Sequence, residues 1–139
     1  MEKGGLAIIL FSATADRLIP VGVLSQAAAN MDVPVKIFVT GWATNLFRKN
    51  SNKNVTTFPK EYESMAPILM EGLKKMNAPS WFDMLKSSKE YGDIKIYVCS
   101  LMAGALGIKS KDELDPIVDD IIGAAAFLEI SAGYQTLFI

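Results

Sequence analysis

Leu6-Ala7-Ile8-Ile9-Leu10-Phe11 is an unbroken apolar run, bounded by Gly4 and Gly5 on one side and Ser12 on the other. Unbroken apolar character, rather than alternation, is what a parallel strand covered on both faces requires. Thr14 or Asp16 then offers a capping side chain for a helix reaching about Asn30, with Leu18, Val21, Val23 and Leu24 as its apolar positions. Pro20 suits that helix only within the first turn, where an N–H has no intrahelical partner to lose. Asp32-Val33-Pro34 turns the chain into Val35-Lys36-Ile37-Phe38-Val39-Thr40, whose β-branched and aromatic content predicts a second strand ended by Gly41.

The spacing predicts a short helix over Trp42 to Phe47, and the Asn-rich stretch Arg48 to Lys53 reads as an exposed loop. Ser64 is placed to cap a helix with Pro67 in its first turn and with Met65, Ile68, Leu69, Leu73 and Met76 on one face, which is assigned to the core. Ser80, three residues before Asp83, announces another helix that turns Trp81, Phe82 and Leu85 inward and closes at Gly92.

Ile94-Lys95-Ile96-Tyr97-Val98 is the third strand, and Cys99-Ser100 falls where the chain leaves the sheet for a short helix or turn through Gly104. Ser110 and Glu113 form a capping box for one turn, which Pro116 stops. Beyond it two readings stay open: a long helix from Asp115-Pro116 to Ile130, or a strand over Ile117 to Ile122 followed by a helix from about Gly123. The strand is preferred. Tyr134 to Ile139 is a final strand. The alternation of strands and helices predicts an α/β, flavodoxin-like, three-layer fold with a mostly parallel sheet of about five strands, in a single domain over residues 1–139.

Composition narrows the function classes. The chain has 139 residues, half of them hydrophobic, enough for one core, and its formal net charge of -1 supplies no pull onto nucleic acid or an anionic membrane. No stretch approaches the roughly 20 apolar residues of a membrane helix, so stable membrane insertion is not expected. The run at Leu6–Phe11 followed by Ala13-Thr14-Ala15 imitates a secretory signal, but it is short and Glu2 cancels Lys3. One cysteine and no histidine exclude an internal disulfide, a histidine-based triad and a tetrahedral zinc site, and fit a reducing cytoplasm.

In open parallel sheets ligands collect at the carboxyl ends of the strands, and Cys99 stands at such an end. A thiol beside backbone N–H groups is stabilised as thiolate, which suits it to act as a nucleophile or to hold a terminal sulfur atom. The competing reading is a small buried hydrophobe. Ser12 and Thr14 after the first strand, and Thr40 with Gly41 after the second, offer polar groups to the same crevice, although capping and turn formation also explain them. Trp42, Phe47, Met102 and the methionines Met65, Met70, Met76 and Met84 read as core or subunit interface, with an apolar pocket wall as the alternative. Lys89-Glu90 and Lys109 to Glu113 are assigned to solvated faces. Ser12-Ala13-Thr14-Ala15-Asp16 occupies the position of a flavin-phosphate loop but lacks its glycines, so no FMN or other cofactor is expected.

Four segments together resemble the DsrE/DsrF-like sulfur-relay family, in the branch labelled peroxiredoxin-like. They are Ile37 to Trp42 with Asn45 to Lys49; the Met-containing middle; Val98-Cys99-Ser100-Leu101-Met102 through Gly107-Ile108; and Ala126 to Glu129 leading to Thr136-Leu137-Phe138-Ile139. The resemblance implies a flavodoxin-like fold, a homo-oligomer, and a cysteine, here Cys99, that accepts sulfane sulfur from a donor protein or a small sulfur species and hands it to a partner. Ser12, Thr14, Thr40, Gly41, Trp42, Ser100 and Met102 are the substrate-side candidates around it. Some members place a second cysteine nearby; here those positions read Ser100 to Gly104, so transfer goes to another chain or a small acceptor. The alternative is a noncatalytic oligomeric binding or assembly protein with Cys99 buried and inert.

Overall fold

The structure, a computed structural model, describes residues 4–139. In chain order the elements are β1 (Leu6–Leu10), α1 (Ala15–Asn30), β2 (Val35–Val39), α2 (Ala66–Lys75), α3 (Trp81–Tyr91), β3 (Ile94–Cys99), α4 (Ser100–Ala105), β4 (Asp120–Ile122), α5 (Ala124–Ile130) and β5 (Gln135–Phe138). Short 3₁₀ helices cover Gly41–Phe47, Lys60–Tyr62 and Lys111–Glu113. Among the described residues the strands form one sheet in the order β4-β3-β2-β1-β5, every neighbouring pair parallel. This is the α/β, flavodoxin-like fold that the strand and helix pattern predicts.

Register explains the core. Ile8 pairs with Ile37 and Ile37 with Ile96, so three isoleucines form a row across the centre of the sheet, all without solvent exposure. Each such side chain contributes roughly 1.5–3 kcal/mol by leaving water. Leu18 and Val21 of α1 and Trp81 and Leu85 of α3 belong to the same cluster. The two helices meet at Gly22, where a Cβ would come within 2.8 Å of the Trp81 carbonyl oxygen and 3.0 Å of Met84 Cε. Only a glycine permits that approach. The opposite face is thinner: α5, seven residues long, covers it through one buried side chain, Phe127.

Several local expectations hold. Ser80 accepts the Asp83 N–H at 3.1 Å, Gly92 closes α3, and the Ser110–Glu113 capping box is formed. The region after Pro116 resolves as a strand followed by a helix, although β4 spans only Asp120–Ile122, with Ile117 and Val118 buried in the approach to it. The apolar N-terminal run is a sheet strand.

Other expectations are corrected. β1 ends at Leu10, and Phe11 turns out of the sheet. Pro20 lies in the second turn of α1, where it leaves the Asp16 carbonyl without its i+4 donor. Thr14 is the N-cap residue of α1, but its side chain makes no capping bond. Ser64 is not the cap of α2; the cap position is Met65, again without a side-chain bond. The methionine-bearing face of α2 is not core, since no residue of α2 is buried and Met65, Ile68 and Met76 are exposed. The reason is geometric: α1 and α3 pack on each other and fill that side of the sheet, so α2 stands outside both hydrophobic clusters.

The Arg48–Lys53 segment is a tied loop rather than a free one. Lys53 Nζ donates to the Ser51 hydroxyl and the Arg48 carbonyl, and the Trp81 indole N–H donates to the Lys53 carbonyl at 2.8 Å. Lys89 likewise leaves solvent, pairing with Asp119 at 2.6 Å; the same carboxylate oxygen accepts the Ile96 N–H and anchors the approach to β4.

Candidate functional site

Cys99 is the last residue of β3, paired in register with Ile122 of β4, and its extended backbone makes it the N-cap residue of α4. Its thiol makes no capping bond. Alternation along β3 turns Val98 into the large core beneath α1 and α3 and Cys99 to the opposite face. There it joins Ala7, Phe38 and Phe127, with Tyr97, Met102 and Ile122 packed around them. The residue is 7% exposed.

The cysteine's position is held from two sides. α4 ends in a Schellman motif: Ile108 N–H donates to the Ala103 carbonyl at 2.8 Å, Gly107 N–H to the Gly104 carbonyl at 3.2 Å, and Gly107 takes φ +77°. The Arg48 guanidinium donates to the carbonyl of Leu106, the C-cap residue of α4, while its Nε bonds Asn45 Oδ1 at 2.8 Å. On the other face Phe127 stacks on Phe38 with centroids 4.8 Å apart. The Tyr97 phenol, half-buried near the cysteine, is held above its ordinary pKa by burial first and by the negative charge of Asp119 second.

The predicted companions of Cys99 divide into two groups. Met102 packs in the cysteine's own cluster, and Ser100 is its exposed neighbour, with its hydroxyl 3.7 Å from where a Cβ on Gly123 would stand. Ser12 and Thr14 follow β1, and Thr40, Gly41 and Trp42 follow β2, the strand beside the cysteine's. Ser12 N–H donates to the Ile139 carbonyl and Thr40 N–H to the Leu10 carbonyl. Gly41, at φ +53°, lies against Phe11, where a Cβ would meet the ring at 2.4 Å. Trp42 is 72% exposed and edge-on to Phe11. In the β2–β3 register Val39 pairs with Val98, so Thr40 leaves its strand beside Cys99, whereas Ser12 and Thr14 follow β1, one strand further away.

The reading of the residues missed an aromatic edge. Phe11 stacks on Phe138 at 5.8 Å and touches Trp42 at 6.4 Å, forming an exposed cluster at the ends of β1, β5 and β2. Its only signal in the chain was that Phe11 and Phe138 close their strands beside polar or terminal residues. Of the methionine and aromatic candidates, Phe47 and Met84 are core, whereas Trp42, Met65 and Met76 face solvent. Among the described residues no three His, Cys, Asp or Glu side chains come together as a metal-binding group, and no helix is long and apolar enough to cross a membrane.

The chain is similar to two proteins along nearly its whole length. One is the uncharacterized protein YrkE of Bacillus subtilis (strain 168), 27% identical over 154 aligned residues covering 95% of this chain and 94% of that one. The other is the solved structure of the protein of unknown function MTH1491 from Methanobacterium thermoautotrophicum. It has a TM-score of 0.58 at 15% identity over 99% of this chain and all of that one, a likeness of fold. The DsrE/DsrF/DrsH-like family matches residues 2–76, from before β1 through the end of α2. With that match over more than half of its length, the chain belongs to the DsrE/DsrF/DrsH-like family.

Proposed function

We propose that this protein is a sulfur carrier of the sulfur-relay type, in which Cys99 holds a sulfane sulfur as a persulfide and passes it to a partner. The observation that carries the reading is the placement of the chain's one cysteine at the carboxyl end of β3, in a chain of this family. In loading, the Cys99 thiolate attacks the outer sulfur of a donor R–S–S⁻. A new S–S bond forms on Cys99, the donor's S–S bond breaks, and R–S⁻ leaves. In unloading, an acceptor thiolate attacks the outer sulfur of Cys99–S–S⁻ and the Cys99 thiolate departs. Neither step has net oxidation, so neither needs an external oxidant or a bound cofactor.

With one cysteine the chain has no internal resolving thiol, so the acceptor is another molecule: a partner protein or a small thiol. Cys99, a residue only 7% exposed, requires local movement for donor access to its thiol, and in this reading α5, tied by one buried residue, is the element whose displacement opens it. The working form in this reading is a homo-oligomer in the reducing cytoplasm, with the exposed Trp42, Leu101, Leu128 and Phe138 supplying apolar contact surface. Light scattering on the eluted protein tests the oligomer directly; a monomer at all concentrations contradicts it.

A second reading is favoured by the burial of Cys99 among Ala7, Phe38 and Phe127. There the thiol is an inert core residue and the chain a noncatalytic binding or assembly subunit. Iodoacetamide separates the two: native protein whose Cys99 resists alkylation while unfolded protein reacts supports the second, and alkylation of the native thiol supports the carrier.

A further inference from the structure

Val39 of β2 pairs with Val98 of β3, so Thr40 and Cys99, the residues that follow, stand side by side where neighbouring strands are about 4.8 Å apart. Thr40 keeps an extended backbone, with φ −143° and ψ −176°. Phe38 belongs to the cysteine's cluster and Val39 to the main core, so alternation turns the Thr40 side chain to the face that holds Cys99.

The hydroxyl of Thr40 has no structural employment. The backbone N–H is used, donating to the Leu10 carbonyl at 2.9 Å. A threonine at a helix N-cap ordinarily accepts an N–H of the first turn through its side chain. Thr40 is the N-cap residue of the 3₁₀ helix Gly41–Phe47 and makes no such bond, and among the described residues its hydroxyl has no other hydrogen-bond partner. The residue is partly exposed.

The sulfur's apolar neighbours Ala7, Phe38, Phe127, Met102 and Ile122 offer it no side-chain N–H or O–H. An anion among them loses water without a replacement bond, so one donor on this face matters most when the sulfur is charged. The outer sulfur of a persulfide stands about 2 Å beyond Sγ, which brings the charge within reach of a hydroxyl on the next strand that the thiol itself does not bond. Ser100 is exposed with its hydroxyl near Gly123, and Tyr97 lies two residues back along β3, which leaves Thr40 as the hydroxyl level with the sulfur.

We infer that the Thr40 hydroxyl is the hydrogen-bond donor that holds the outer sulfur of the Cys99 persulfide. This role rests on the sulfur-carrier reading of Cys99. In the exchange R–S–S⁻ + Cys99–S⁻ → Cys99–S–S⁻ + R–S⁻ the charge on the protein moves to the outer sulfur, and the Thr40 O–H donates to it there. Thr40 itself neither gains nor loses a proton, so the step stays balanced without a further reactant.

The test measures the loading constant by intact mass of the full chain in mixtures of cysteine persulfide and cysteine at known ratios. Thr40→Val keeps the branched shape and removes the donor, Thr40→Ser keeps the donor, and Tyr97→Phe removes the other hydroxyl on that face. Thr40→Val is expected to lower the loading constant about tenfold, with Thr40→Ser and Tyr97→Phe within about twofold of wild type. Alkylation of the unloaded thiol by iodoacetamide is expected to stay within about twofold in every variant, since the hydroxyl is not bonded to the thiol. An undiminished loading constant in Thr40→Val, an equal loss in Thr40→Ser or Tyr97→Phe, or an alkylation rate that falls as far as loading overturns the role of Thr40 and leaves the carrier reading standing. A wild-type chain that takes up no sulfur overturns both.

Discussion

Phe127 lies on Phe38 with ring centroids 4.8 Å apart and planes 24° from parallel, and this stack is the buried attachment of α5 to the sheet face that holds Cys99. A seven-residue helix has little stability of its own, so its position depends on that packing. Phe127→Ala is therefore expected to cost about 3–5 kcal/mol in denaturant unfolding and to accelerate alkylation of Cys99 under native conditions. An unchanged alkylation rate in a variant that remains folded would show that α5 does not control access to the thiol.

Arg48 ties the 3₁₀ segment after β2 to the end of α4, 58 positions further on. Arg48→Met keeps much of the aliphatic stem and removes the donors, leaving the Leu106 carbonyl without this partner. The expected cost is about 1–3 kcal/mol, with faster amide exchange in α4 than in the core strands. Uniform acceleration throughout the sheet would mean that the bond supports the whole fold rather than α4.

The solvent-facing α2 makes a contrasting pair of substitutions informative. Ile68→Ser is expected to change stability by no more than about 0.5 kcal/mol, whereas Leu85→Ala, at a site without exposure in the main cluster, costs about 2–5 kcal/mol. Comparable losses at both positions in urea unfolding would place Ile68 in a core.

Glu113 accepts the backbone N–H groups of Lys109 and Ser110, and these bonds hold its pKa below the ordinary 4.5. A carboxyl group with a depressed folded pKa contributes stability that is present above its unfolded value and is lost as pH falls through the folded one. Wild type is accordingly expected to exceed Glu113→Gln in stability at neutral pH, with the difference shrinking below about pH 4.5. Melting temperatures of the two proteins from neutral to acid pH check this, and a difference that widens in acid would reverse the assignment.

What was legible in the chain follows from local rules. The continuous apolar run from Leu6, the β-branched and aromatic stretch from Val35, the Ser80 cap and the Ser110–Glu113 box each carry their signal within a few residues, and each gave the expected kind of element or cap. The fate of the α2 face was not legible, because Met65, Ile68 and Leu69 have the spacing of a buried face and only tertiary crowding by α1 and α3 leaves them outside. The strand-end position of Cys99 was likewise readable from Ile94 to Val98. That Thr40 leaves its strand beside the cysteine while Ser12 follows a strand further away was hidden, because strand order along a sheet is not written in the succession of strands. Lys89 and Asp119 show the same limit, since nothing local tells that residues 30 positions apart meet beside β3.

The central claim is that Cys99 carries sulfur, and the direct measurement is intact mass after incubation of the native protein with polysulfide. The account predicts an adduct of one sulfur atom on the wild-type chain, removed by a thiol reductant and absent from Cys99→Ser. An adduct of equal amount on Cys99→Ser, or none on wild type, would contradict it.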